Sequence, residues 1–294
     1  MKFAKRQKLT ERPMPDIDYE YEYNLRARVP DHAEIFARWA REAEDYRAEA
    51  LKRDCAELGL SYGDTPRQFI DLFWPAADKT APVALFIHGG FWRAFDPSSS
   101  SQLARGLNGR GIAVAVVGYD LCPVVTIADI IVQIRRACIF LWQRFEQRLL
   151  VTGHSAGGHL AAAMVGTDWR ALYPKAPADL VPAAFALSGI FDLAPVLGLP
   201  VNQDLRLDAD AARRDSPLFW PVAPGRVIDA AVGDGETNEF KRQSATLAET
   251  WAGRGAQTRY AEFPGNHFTV LDALADPANA MVGRIFKLAQ GLGR

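Results

Sequence analysis

From Phe69 onward, short apolar runs alternate with amphipathic segments: Phe69–Trp74, Val83–His88, Ile112–Tyr119, Leu149–Thr152, Ala183–Leu187, Val227–Val232 and Thr258–Phe263. Most of these runs are apolar at successive positions, which predicts strands buried on both faces. The cover lies between them and is clearest at Ile127, Ile130, Ile131, Ile134, Cys138 and Leu141, whose spacing collects apolar side chains on one helix face. Strand, turn and helix repeated in this way predict an α/β fold with a mostly parallel central sheet and helices on both faces. Upstream the pattern differs. Residues 1–17 hold charges and prolines without apolar periodicity and predict a flexible tail. Residues 18–60 predict a helical arm, with Pro30-Asp31 and Glu34 reading as a capping box before a helix face of Ile35, Trp39, Ala43 and Tyr46. We therefore expect a single domain over residues 18–294, with the Pro-, Asp- and Arg-rich residues 195–225 as an excursion near a pocket.

Composition narrows the function. A chain of 294 residues with 49% hydrophobic content can bury a large core. Its formal charge is −1 and Lys and Arg are scattered, so a nucleic-acid partner is not expected, and a small neutral or zwitterionic substrate fits better. No run approaches the ~18 consecutive apolar residues of a membrane span, and the basic N-terminus lacks a following apolar stretch. Cys55, Cys122 and Cys138 are odd in number and far apart, which suits neither a disulfide framework nor a metal site. These features predict a cytoplasmic protein without metal, cofactor or membrane partner, and are compatible with a homodimer.

The chemistry centres on Gly153-His154-Ser155-Ala156-Gly157-Gly158, which follows the strand Leu149–Thr152 and leads into His159-Leu160-Ala161-Ala162. A serine on a sharp strand-to-helix turn between glycines has the context of a nucleophile elbow, and so of the α/β-hydrolase fold. A phosphate-cradling loop is the competing reading, but the spacing gives neither a dinucleotide fingerprint nor a Lys-Ser/Thr ending. In α/β-hydrolases the order along the chain is serine, acid, histidine. Only His267, in the loop after the last strand, suits that order; His32, His154 and His159 are expected to be structural, with the His154 side chain directed away from the nucleophile. For the acid, Glu236 comes first and Asp234 second, while Glu239 suits the first turn of the next helix. After the strand ending at Ile87, His88-Gly89-Gly90-Phe91-Trp92 offers backbone N–H groups for an oxyanion hole from Gly89 and Gly90, completed by Ala156.

Together, the His88–Trp92 and Gly153–Gly158 segments resemble those of the arylformamidase (kynurenine formamidase) branch of the α/β-hydrolases. The resemblance extends to Tyr23-Asn24-Leu25-Arg26, Tyr119-Asp120-Leu121-Cys122-Pro123, Ser188-Gly189-Ile190-Phe191-Asp192-Leu193 and Glu239-Phe240. It implies hydrolysis of N-formylkynurenine through a formyl-serine, and it places the acid on Glu236. Phe91 and Trp92, with Phe95, are candidate walls for an aryl group, and Arg26, Asn202 and Arg206 are weaker candidates for binding a carboxylate. Two other functions stay open at this level: a carboxylesterase for short acyl esters using the same triad, and a catalytically silent fold that binds a small ligand as a receptor.

Overall fold

A computed structural model describes residues 17–77, 79 and 81–292. Apart from Ile17, the expected tail lies outside the described residues. Eight strands form one sheet: β1 (Ala56–Ser61), β2 (Phe69–Phe73), β3 (Val83–Ile87), β4 (Ala113–Val117), β5 (Leu150–His154), β6 (Ala183–Leu187), β7 (Val227–Gly233) and β8 (Gln257–Phe263). Their order is β1-β2-β4-β3-β5-β6-β7-β8. The pairs from β4 through β8 are parallel, whereas β1 and β2 form an antiparallel edge. Every residue of β3, β4, β5 and β6 is buried; β3, β4 and β6 are apolar throughout, as burial on both faces requires, and β5 buries Thr152 and His154 as well.

Strand β1 departs from the helical arm expected up to residue 60. The arm comprises α1 (Tyr19–Tyr23), α2 (Leu25–Arg28) and α3 (His32–Lys52), and the chain then enters the sheet edge. The pairing of β1 breaks at a bulge between Glu57 and Leu60, where Gly59 takes φ +71° and donates to Asp71 Oδ1 at 2.8 Å. A bulged, half-exposed edge strand carries no clean alternation, so its period is hidden. The expected capping box of α3 does not form either: Asp31 holds the N-cap position, but its side chain makes no capping bond. Burial of Ile35, Trp39, Ala43 and Tyr46 fixes the helix instead, with Trp39 Nε1 donating to Asp272 at 2.9 Å.

Between the strands run α4 (Ala104–Asn108), α5 (Ile127–Phe145), α6 (Ala156–Val165) and α7 (Trp169–Leu172). The excursion holds α8 (Asn202–Leu205) and α9 (Ala209–Arg214), and α10 (Asn238–Ala252) and α11 (Ala280–Gln290) complete the cover. Helix α5 buries the stripe read from its spacing and opens with a true capping box, Thr126 with Asp129. Each fully buried isoleucine in that stripe contributes roughly 1.5–3 kcal/mol, so packing outweighs the cap. Helix α6 is buried along its whole length and packs against β5 and β6, which brings its N-terminus to the carboxyl edge of the sheet.

Candidate active site

The elbow is shaped by close backbone approach. A Cβ on Gly153 would lie 2.2 Å from the carbonyl oxygen of Gly157, and one on Gly157 would lie 2.0 Å from that of Ile87. Neither position can hold a side chain without displacing main chain, so strand, turn and helix stay tightly folded. Ser155 sits at the turn with φ +56° and ψ −119°, a conformation that a non-glycine residue adopts only when its surroundings enforce it. Its N–H donates to Leu187 O at 2.9 Å, which pins the turn to the adjacent strand.

Strands β7 and β8 bring Glu236 and His267 to the same edge. His267 Nδ1 lies 2.6 Å from Glu236 Oε2; the imidazole is 3% exposed and the carboxylate side chain 0%. With the proton on Nδ1 donated to the carboxylate, Nε2 keeps its lone pair and can act as a base. The other oxygen, Oε1, accepts Gly233 N–H at 2.8 Å and the hydroxyl of Ser188. Asp234 is exposed and accepts from Gly265 N–H at 3.0 Å, away from the histidine. Glu239 is buried at the start of α10, where it accepts from Arg242 through two bonds and from the Tyr23 hydroxyl. The His267 ring packs against Phe240 at 4.6 Å and His154 at 4.5 Å between centroids.

That contact corrects the expectation that His154 points elsewhere: its ring lies against His267 and lines the same cavity. Burial, and then the neighbouring imidazole, hold His154 well below its ordinary pKa. It therefore stays neutral beside the His267 ring. His159 Nε2–H donates to Asp215 O at 2.7 Å, and His32 Nδ1–H donates to Val29 O at 2.9 Å; neither ring lines the cavity. Ser155 and His267 both line it, but among the described residues no hydrogen bond joins hydroxyl and imidazole. Catalytic hydrogen bonds often tighten only around bound substrate.

The loop after β3 presents backbone donors. Tyr119 donates its hydroxyl to His88 O at 2.9 Å and Gly89 O at 3.3 Å, and His88 Nδ1 lies 2.9 Å from Gly89 O. The His88 ring stacks on Tyr119 at 4.3 Å, and burial pushes its pKa down to about 4. In a trans peptide the carbonyl and the following N–H point in opposite directions. Anchoring the two carbonyls therefore directs the N–H groups of Gly89 and Gly90 away from Tyr119, and both glycines line the cavity. Among the described residues, the N–H groups of Gly89, Gly90 and Ala156 donate to nothing. Gly90 itself needs to be glycine: φ is +101° and a Cβ would meet Ala94 O at 2.5 Å.

The BD-FAE family model matches residues 70–176. The kynurenine formamidase of Danio rerio is 28% identical over 240 residues, covering 79% of this chain and 81% of its own. That of Salmo salar is 29% identical over 231 residues, 74% and 77% of the two chains. A solved structure from a Silicibacter species, provisionally described as a thioesterase, is 35% identical with a TM-score of 0.80, covering 92% of this chain and 99% of its own. The chain belongs to the arylformamidase-like branch of the α/β-hydrolases. The sheet edge that carries Ser155 and His267 faces a cavity of about 300 Å³.

In this hydrolase the cavity is walled mainly by apolar side chains: Phe36 and Trp39 of α3, Phe91 and Phe95, Leu199 and Val201 of the excursion, and Phe268. Trp92, expected beside Phe91, is absent from that wall. Phe91 and Trp92 both take positive φ, +49° and +55°, and the turn drives the indole into the core, 0% exposed and edge-on to His159 at 5.1 Å. Of the carboxylate candidates, Arg26 lines the mouth without an ion-pair partner among the described residues. Asn202 instead binds the backbone of Leu197 and Leu207, and neither it nor Arg206 reaches the cavity. No cluster able to hold a metal ion occurs among the described residues. Sequence reasoning missed the anchoring roles of Tyr119 and Ser188; both lie just past the carboxyl ends of buried strands, which is the signal that could have found them.

Proposed function

We propose that the protein hydrolyses N-formyl aryl amines, N-formyl-L-kynurenine foremost, to formate and the free arylamine through a formyl-serine intermediate at Ser155. One observation carries the choice of substrate: similarity to kynurenine formamidases across about three quarters of both chains. The cavity supports it, since flat apolar walls suit an aryl leaving group and Arg26 at the mouth suits an amino-acid carboxylate. His267 takes the proton of Ser155 as Oγ attacks the formyl carbon, and the oxyanion rests on the N–H groups of Gly89, Gly90 and Ala156. The imidazolium, stabilised by Glu236, then protonates the nitrogen as the C–N bond breaks. Water attacks the formyl ester with His267 again as base, and formate leaves as Ser155 recovers its proton.

We read residues 18–294 as one catalytic unit whose arm supplies part of the cavity wall. Among the described residues no helix is long and apolar enough to cross a membrane, and all three cysteines are free and buried; a cytoplasmic location accords with both. Specificity constants for N-formyl-L-kynurenine and p-nitrophenyl acetate on the purified protein test the reading. A clear preference for the formamide is expected. A negligible formamide rate beside efficient ester cleavage would replace it with a carboxylesterase.

A further inference from the structure

Ser188 is the first residue past β6, and its backbone is left-handed, with φ +54°. That region favours glycine, so a serine held there calls for a reason in its side chain. The residue is 0% exposed and does not line the cavity, which excludes it as a nucleophile. Its N–H donates to Ala231 O of β7 at 2.7 Å, so the turn is fixed to the strand that leads into the acid loop. Its hydroxyl then reaches Glu236 Oε1.

The need for this contact follows from the acid being a glutamate. The side chain of Glu236 curls back over Gly233: a Cβ on that glycine would lie 3.2 Å from Glu236 Cγ and 3.1 Å from Oε1. A folded-back chain with three rotatable bonds has conformational freedom to lose, and one backbone donor leaves its carboxylate free to turn. Gly233 N–H and the Ser188 hydroxyl hold Oε1 from two strand ends, which leaves Oε2 facing His267 Nδ1 at 2.6 Å.

We propose that Ser188 is a positioning residue for the catalytic acid: its hydroxyl clamps one oxygen of Glu236 so that the other stays aligned with His267 while the imidazolium forms. This rests on the reading of Glu236 as the acid of the triad. Partners that orient metal ligands change affinity or activity by about 10- to 100-fold when removed, and a loss of that order is expected for a partner that orients the acid here.

The test uses Ser188→Ala and Ser188→Gly in the full chain, each alone and combined with Glu236→Gln. The glycine variant suits the positive φ and keeps the turn. Both single variants should lose about 10- to 100-fold in kcat on N-formyl-L-kynurenine and p-nitrophenyl acetate alike, with KM within about 2-fold. In the Glu236→Gln background the same changes should cost under about 3-fold, because their effect runs through the carboxylate. Full activity of Ser188→Gly, or an equal loss in both backgrounds, would overturn the proposal. Full activity of Glu236→Gln alone would instead remove the reading beneath it.

Discussion

The carboxyl edge of the sheet and the wall opposite it are built differently. At the edge, Ser155, Gly89, Gly90, Glu236 and His267 stand at or just beyond the ends of β5, β3, β7 and β8, and main-chain contacts fix them: Ser155 N–H to Leu187 O, Tyr119 to two carbonyls, Gly233 N–H to Glu236. The wall is made of side chains on short segments, Leu25 and Arg26 in a four-residue helix, Leu199 to Val201 in the excursion, and Phe36 and Trp39 on α3. On the proposed mechanism, an edge anchored through main chain and a wall built of side chains would separate chemistry from selectivity. Changes at the edge should lower turnover for every substrate, whereas changes in the wall should alter affinity for some.

Glu236→Gln should give the largest effect among the edge residues other than the nucleophile and base, a fall of about 10⁴ in kcat on formamide and ester alike. Steady-state kinetics on both substrates checks it, and a loss confined to one would blur the division. Next comes Trp92, which belongs to neither region. Trp92→Ala should lower unfolding free energy by about 3–5 kcal/mol in urea titrations, with KM unchanged in the enzyme that remains folded; a raised KM would return the indole to the wall.

The buried histidines couple the stability of the fold to pH. His88 and His159 are pushed down to about 4 by burial and are neutral in the folded chain, while in the unfolded chain they protonate near 6.5. Below that point the unfolded state binds more protons, so stability falls as pH drops from about 6.5 towards 4, with a slope of about 1.4 kcal/mol per pH unit for each such histidine. Urea midpoints across this window should show the fall, and His159→Gln should flatten it. The smallest effect lies at the mouth. Arg26→Ala should raise KM for N-formyl-L-kynurenine about 10-fold through loss of a charged hydrogen bond and leave p-nitrophenyl acetate unchanged. Equal effects on both would mean that Arg26 supports the arm instead of reading a carboxylate.

What could be read in the sequence follows the same division. The central strands and the α5 face were legible because burial on both faces or on one stripe imposes a period, at Val83–Ile87 or Ile127–Leu141, that survives without neighbours. The glycines around Ser155 and after His88 were legible because close backbone approach admits no other residue. Strand β1 was not, since a bulged edge erases the period. Trp92 misled because its place next to Phe91 suggested a shared wall, whereas two successive residues at positive φ turn Phe91 to the cavity and the indole into the core. Position just past a buried strand marks Tyr119 and Ser188 as candidates, but the partners of His154, Tyr119 and Ser188 are set by tertiary proximity between strand ends far apart in the chain.

The central claim is that Ser155 carries the acyl group. Acid-quenching the enzyme during turnover of N-formyl-L-kynurenine and mapping its peptides by mass spectrometry tests this directly. We predict one formyl group on the peptide containing Ser155, absent from Ser155→Ala, which should also be inactive. A formyl group on another residue, or turnover that persists in Ser155→Ala, would contradict it.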